Sequence, residues 1–197
     1  MSTPLILGAV GEIIAERTGM MVTAVEGIFL AGAFGGFIGV YSTGNYLVGF
    51  LFAMICGLLV AMLYGLTTVY MNQHQIVMGT AIAILIAGFC KFFFRAIYGT
   101  PLTPLKIEPL RVLKIPILSE IPIIGPILFS QNIISYLSYI FIFVTGFIMF
   151  KTSLGLTLRS CGENPEAADV AGINVRKVRF LAVCVAGCLG GIGGAYY

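Results

Sequence analysis

From Tyr46 to Tyr70 the chain carries no charged residue at all. Four more stretches come close to this. Residues 20–40 hold one charge, Glu26, and residues 75–98 are uncharged as far as Lys91. Residues 132–150 and 180–197 hold none. An α-helix needs about 20 consecutive apolar residues to cross the hydrocarbon core of a bilayer. Each stretch is near that length, so the sequence predicts five spanning helices. Inside lipid a helix satisfies its own backbone polar groups, which an open loop or sheet edge cannot do.

Composition agrees. Of 197 residues, 59% are hydrophobic and 10% charged. A soluble domain carries about 25% charged residues. The mean hydropathy of +1.04 is the reverse of a disordered chain. The net charge of +3 is too small to suggest nucleic acid as a partner. The expected fold class is an all-α polytopic membrane protein with about five to six transmembrane helices, in one domain over 1–197.

The sixth helix is the ambiguous one. Thr3 is a plausible N-cap with Pro4 at the first helical position. The segment 4–17 is roughly 21 Å long as a helix, which is short for a span. It either lies at the interface or is the second half of a longer first helix. It lacks the basic start of a cleavable signal peptide, and Glu12 and Glu16 interrupt it.

Residues 99–131 differ in kind. They contain Pro101, Pro104, Pro109, Pro116, Pro122 and Pro126, six of the eight prolines. Proline removes a backbone donor and breaks helices, so no straight span runs here. The expectation is an ordered, still apolar loop on or dipping into the membrane surface. Glycine is abundant, with 25 residues, and pairs such as Gly32/Gly36 and Gly187/Gly191 permit close helix crossings.

The five cysteines mostly lie in apolar runs without His or carboxylate beside them. They read as small packing residues, and no metal site is expected. No cofactor is expected either.

The longest polar stretch is 151–179. It holds Lys151, Arg159, Glu163, Glu166, Asp169, Arg176, Lys177 and Arg179. Its centre predicts a short helix: Asn164 as N-cap, Pro165 at N1, Glu166 facing the positive end of the dipole, and Gly172 as a left-handed stop. Two turns cannot stand alone in water. Such a helix either lies on the membrane surface as a connector or docks a soluble partner. The positive-inside rule does not orient the chain, because the two sides carry nearly equal numbers of cations.

Here the sequence resembles a known family. Glu166-Ala167-Ala168, three residues, then Gly172 is similar to the EAA loop of ABC importer permeases. The fuller run GENPEAADVAGINVRKVR, residues 162–179, resembles that loop in the branched-chain amino acid, ribose and nucleoside branch. Upstream, PLILGAVGEIIAERTGM (4–20), QIVMG (75–79) and LSEIPIIGPILFSQN (118–132) are similar to the simple-sugar and nucleoside permeases. Where relatives tend to carry an Asn-Ile-Gly-Leu-Glu-Gly-like run, this chain has VTAVEG at 22–27.

The resemblance implies a cytoplasmic loop at 151–179 and an extracytoplasmic one at 99–131. It makes the short helix a coupling helix for an ATP-binding subunit, with Gly162, Glu163, Asn164, Pro165, Glu166, Ala167, Ala168 and Gly172 as the docking residues. It also implies a second permease subunit (homo- or heterodimer), an extracytoplasmic solute-binding protein and surrounding lipid as partners. The cytoplasmic membrane is the implied location. Family members extend past the equivalent of Tyr197, so the resemblance implies a chain incomplete at that end.

Among single residues, Glu26 is the one acid inside a span. An intramembrane carboxylate is a functional candidate, and it is equally placed to reach the interface or pair with Arg17. Gln75 and Thr80 open a span that in relatives approaches the translocation path, which makes them substrate-path candidates by resemblance. Lys91 and Arg95 share one face near the end of their span, where snorkelling to headgroups or contact with a binding protein both fit. His74 sits alone in a turn. No Gly-x4-Gly-Lys-[Ser/Thr] loop exists to hold ATP, so any hydrolysis falls to a partner and the chain itself is not an enzyme. The expected function is ATP-driven import of nucleosides or simple sugars by alternating access. The rivals are a secondary transporter and a membrane scaffold that recruits a soluble partner without transport.

Overall fold

The computed structural model describes residues 2–99, 112–114 and 130–196. Their helices are α1 (Thr3–Glu16), α2 (Val25–Thr43), α3 (Tyr46–Gly65), α4 (Gln75–Tyr98), α5 (Ile133–Lys151), α6 (Ser153–Glu163), α7 (Pro165–Val170) and α8 (Val175–Tyr196). A π-helical turn, Leu66–Tyr70, continues α3. Two three-residue strands, β1 (Val112–Lys114) and β2 (Ser130–Asn132), pair antiparallel with Leu113 opposite Gln131. The rest of the proline-rich stretch expected at 99–131 lies outside the described residues.

Among the described residues, five helices are long and apolar enough to cross a membrane: α2, α3 with its π-turn, α4, α5 and α8. The all-α polytopic expectation holds. Two boundaries move. The span expected to begin at residue 20 begins at Val25, and residues 20–24 are not helical. The last span begins at Val175, so the basic run Arg176, Lys177, Arg179 lies on its first turns. Helix α1 has 14 residues, short of a span. Its N-cap is Ser2 rather than Thr3. Thr3 is buried and its hydroxyl pairs with Ser135 Oγ at 2.8 Å, tying α1 to α5.

Helix α8 is the axis of the bundle. Over its most apolar 18 residues it is 56% buried, against 17% for α4. Small residues make this possible. A Cβ on Gly32 of α2 would fall on the Gly191 carbonyl, and one on Gly57 of α3 would fall on the Gly187 carbonyl. One glycine stripe of α8 therefore admits two helices at backbone contact. Packing of this kind drives helix association in lipid, where hydrophobicity no longer distinguishes protein from solvent. The cluster around it includes Ala15, Met20, Val22, Ile28, Val60, Tyr64, Ile82 and Val183. At the far end of α2 and α4, Phe37 and Tyr41 pack edge-on against Tyr98 at 5.5 and 5.2 Å between ring centroids.

The outer faces stay apolar and exposed. Ile84 and Phe92 on α4 and Phe143 and Phe147 on α5 are examples. This is what a lipid-facing helix requires.

Candidate functional site: a capped helix and a pinned turn

The short helix forms as the sequence predicts. Asn164 is its N-cap, and its Oδ1 accepts the Ala167 N–H at 3.0 Å. Pro165 follows at the first position, where its missing N–H costs nothing. Gly172 adopts φ +85°, the left-handed stop. Glu166, Ala167, Asp169 and Val170 are exposed. Ala168 is not: it is buried against Cys161 and Val175, with Ile173 and Val178 beside them. Of the predicted docking residues, Glu163, Asn164, Glu166, Ala167 and Gly172 are exposed, Gly162 and Pro165 are half-buried, and Ala168 faces inward.

Sequence reasoning missed α6. The chain breaks at Thr152, whose hydroxyl accepts the Gly155 N–H at 3.3 Å and starts a new helix. The one local signal was a Ser/Thr cap, and the leucines at 154, 156 and 158 alternate as a strand would. The cap was hidden inside a stretch that reads as polar loop. Helices α6 and α7 and the first turn of α8 share a small core of their own, separate from that of the bundle.

Beside this segment lies the connection between α1 and α2. Residues 20–24 are irregular, yet Met20, Val22 and Ala24 are buried. Irregular backbone at depth survives only where its polar groups are satisfied by protein. Three side chains do this. Glu12 Oε1 accepts the Val22 N–H at 2.8 Å, and Gln75 Oε1 accepts the Met21 N–H at 2.9 Å. The Tyr64 hydroxyl donates to the Met21 carbonyl. Thr23 Oγ1 donates to the Gln75 carbonyl at 2.8 Å, which fixes the first turn of α4. Nothing in the sequence singled out Tyr64 for this. Glu12 was visible only as an acid interrupting an apolar run.

A polar cleft of about 650 Å³ separates the pinned turn from α7. Gln75, Glu166, Asp169, Arg176 and Arg179 line it, together with Met20. Gln75, predicted for a substrate path, thus meets α7 across this cleft with its carbonyl oxygen already engaged. The other two path candidates lie elsewhere. Thr80 is exposed, and its hydroxyl bonds back to Ile76 and Val77 of its own helix. Glu26 is exposed in the first turn of α2 and borders a separate cleft of about 500 Å³ with Pro4, Phe29 and Gly194. Arg17, one of the two alternatives for Glu26 alongside the interface, borders a third cleft between α1 and α5. Lys91 and Arg95 are exposed beside an apolar cleft of about 930 Å³ at the aromatic end of α2 and α4. His74 is exposed and precedes α4 without capping it.

Two titratable groups outside the spans are perturbed. Burial pushes the Glu12 carboxyl above its ordinary range; the Val22 N–H opposes this and the Glu16 charge adds to it. Glu12 Oε2 is buried with no partner among the described residues. Burial also raises the Cys161 thiol, against the pull of Arg179 and Ser160. Among the described residues no group of three or more His, Cys, Asp or Glu converges as a metal site would require.

The arrangement defines a class: a multi-pass membrane protein that carries, between its last two described spans, a capped surface helix beside a turn held by side chains from three helices. All of residues 1–197 match the model of the branched-chain amino acid transport system / permease component family, and the chain belongs to that family. It is 37% identical over 203 residues to the guanosine ABC transporter permease protein NupQ of Bacillus subtilis (strain 168), an alignment that covers 100% of this chain and 64% of that protein. It is 34% identical to the nucleoside ABC transporter permease protein NupC of Lactococcus lactis subsp. cremoris (strain MG1363), again over 100% of this chain and 64% of the relative. It is 33% identical to the putative glucose ABC transporter permease protein TsgC13 of Haloferax volcanii, over 99% of this chain and 59% of the relative. The chain thus spans a little under two thirds of the length of these relatives. No solved structure matches it.

Proposed function

We propose that this chain is the membrane permease subunit of an ATP-driven importer for nucleosides or simple sugars. It is not itself an enzyme: ATP is hydrolysed by cytoplasmic partner subunits that dock on α7. The observation that carries this reading is the construction of α7. It is capped at one end by Asn164, stopped at the other by Gly172, and rests on α6 and the first turn of α8 through Ala168. Its opposite face offers Glu166 and Ala167 to solvent. A two-turn helix held this firmly, with a small side chain at the centre of its free face, suits insertion into a groove on a partner. The names of the relatives, permeases for guanosine, nucleosides and glucose, support the solute class.

In this reading, α7 and the 151–179 segment are cytoplasmic and the 99–131 segment extracytoplasmic. A second permease, like or unlike, completes the path, and a solute-binding protein delivers the solute. Closure of the ATP-binding subunits moves the spans as rigid bodies and alternates access. The spans hold few ionisable groups, which suits a neutral, hydrogen-bonding solute better than an ion.

The test is co-purification in detergent. The chain as its gene encodes it is tagged and expressed with the ATP-binding subunit encoded beside it, as wild type and as Ala167→Arg. Ala167 is exposed, so the substitution leaves the fold intact and fills the docking face. Wild type should retain the ATP-binding subunit and the variant should lose it. Retention by both places docking elsewhere, and retention by neither overturns the reading. Uptake that survives ATP depletion would instead indicate a secondary transporter.

A further inference from the structure

The docking segment and the pinned turn pack in separate cores, and the Arg179 side chain hydrogen-bonds to the backbone of both. Arg179, on the second turn of α8, donates from Nε to the Thr18 carbonyl at 2.9 Å and from Nη2 to the Cys161 carbonyl at 3.1 Å. Thr18 stands at the exit of α1 and Cys161 near the end of α6. Both are fully buried. The guanidinium therefore bridges two backbone segments that are distant in sequence, using two N–H groups of one rigid fork.

The surroundings are shaped to this contact. Gly19 has φ +83°, and a Cβ there would lie 3.1 Å from Arg179 Nη2. A side chain at 19 would strain the backbone and crowd the fork at once. On the other side, a Cβ on Gly162 would fall on the Arg17 carbonyl. Backbone thus touches backbone where α6 meets the exit of α1, and Arg179 closes the gap beside it. Charge-assisted bonds to carbonyls are among the stronger hydrogen bonds, and here the acceptors are shielded from water.

From Thr18 the connection runs on without a break. Its hydroxyl donates to the Ala15 carbonyl at 2.7 Å, and the same carbonyl accepts the Met20 N–H at 3.2 Å. Met21 is held by Gln75 and Tyr64, Val22 by Glu12, and Thr23 by the Gln75 backbone. Thr18, Met20 and Val22 are buried and Glu12, Thr23 and Gln75 half-buried, while the Met21 side chain is exposed and its backbone is held on both sides.

We propose that Arg179 is a positioning residue that ties the α6–α7 docking segment to the turn 18–24, so that displacement of α7 by a docked partner moves Met21–Thr23 and, through them, the head of α4 at Gln75. This rests on the reading of α7 as the docking helix. Transmission of this kind needs contiguous, discretely bonded elements rather than proximity, and this path has them. The neighbouring cations of α8, Arg176 and Lys177, are exposed, and Val175 and Val178 pack in the core of the docking segment rather than on the turn.

The test has two arms. In the first, the chain alone in detergent is followed by amide hydrogen exchange as wild type, Arg179→Lys, Arg179→Ala and Lys177→Ala. Lysine keeps the charge and the stem but cannot fork between two carbonyls. The Met21 and Val22 amides should exchange at least tenfold faster in both Arg179 variants and stay unchanged in Lys177→Ala, while the α8 amides of Leu189–Gly194 hold their protection. Unchanged exchange at Met21 and Val22 overturns the proposal. Should Arg179→Ala fail to yield a monodisperse protein, Arg179→Lys is read in its place. In the second arm, each variant is paired with its ATP-binding subunit. The Arg179 variants should retain that subunit yet lose at least tenfold in solute uptake, with ATP hydrolysis no longer responding to solute. Release of the subunit would make Arg179 a mere part of the docking face and overturn the proposal, and so would normal uptake. Failure of wild type to retain the subunit overturns the importer reading alone, because the first arm needs no partner.

Discussion

Glu12 Oε1 accepts the Val22 N–H at 2.8 Å, and the bond joins a helix to the irregular turn that follows it ten residues later. The acid is half-buried, and its second oxygen finds no partner among the described residues. One carboxyl thus satisfies a buried backbone donor while its own charged form is disfavoured by the same burial.

Glu12 should therefore give the protein a pH-dependent stability that Gln would not. Its folded pKa is raised above the ordinary carboxylate value, with desolvation the largest cause. The protonated acid is favoured by folding, so its contribution is fully present below the ordinary value and is lost as pH climbs through the raised one. Glu12→Gln keeps the acceptor for Val22 and cannot ionise. Thermal melts in detergent from about pH 4 to about pH 8 should fall less with rising pH for Glu12→Gln than for wild type. Parallel curves would show that Glu12 titrates as an ordinary surface acid.

Removal of the Asn164 cap should loosen α7 without disturbing the spans. Loss of an N-cap side chain costs about 1 kcal/mol. A two-turn helix cannot hold itself, so the cap and the contacts of Ala168 share the task. In Asn164→Ala the Ala167 amide should lose protection from hydrogen exchange, while Asn164→Asp should keep it. The melting temperature of the bundle should barely move. Equal protection in Asn164→Ala would mean that the contacts of Ala168, not the cap, hold the helix.

The helix crossing at Gly191 should be among the least forgiving points of the bundle. A Cβ there would fall on the Ala53 carbonyl, and backbone on both sides leaves nothing flexible to yield. Gly146 on α5 is the matched control, because a Cβ there meets nothing within 4 Å among the described residues. Gly191→Val should abolish recovery of folded protein from the membrane, whereas Gly146→Val should be recovered at wild-type levels. Membrane extraction followed by size-exclusion chromatography reads both.

Much of this was legible in the sequence, for physical reasons. A bilayer imposes length and apolarity on each span, so the five spans could be read off uncharged runs. The caps of α7 could be read because Asn, Pro and Gly each have a local mechanism at helix ends. The pinned turn could not. Met20, Val22 and Ala24 are as apolar as a span, and only the three-dimensional meeting of Glu12, Tyr64 and Gln75 makes helix unnecessary there. For the same reason Gln75 was singled out as a path residue by resemblance, while its bond to Met21 needed coordinates to be seen. Among the tyrosines, Tyr64 serves the turn, Tyr41 joins the aromatic cluster with Tyr98, and Tyr70 packs edge-on to Phe180 at 5.6 Å. Composition gave no way to separate those three roles.

Gly172 allows strain and docking to be told apart. Its φ of +85° disfavours any side chain, by roughly 1–2 kcal/mol for an ordinary residue, whereas Asn tolerates that region. A Cβ at 172 meets nothing within 4 Å among the described residues, so no clash with them adds to the strain. Gly172→Asn should leave the melting temperature and the exchange of α7 close to wild type. If a partner approaches closely at this end of α7, the same variant should still weaken co-purification of the ATP-binding subunit, and Gly172→Val should weaken it further because strain then adds to bulk. If Gly172→Asn retains the subunit as well as wild type does, glycine at 172 serves only to stop the helix, and the docking contact is confined to the face that carries Glu166 and Ala167.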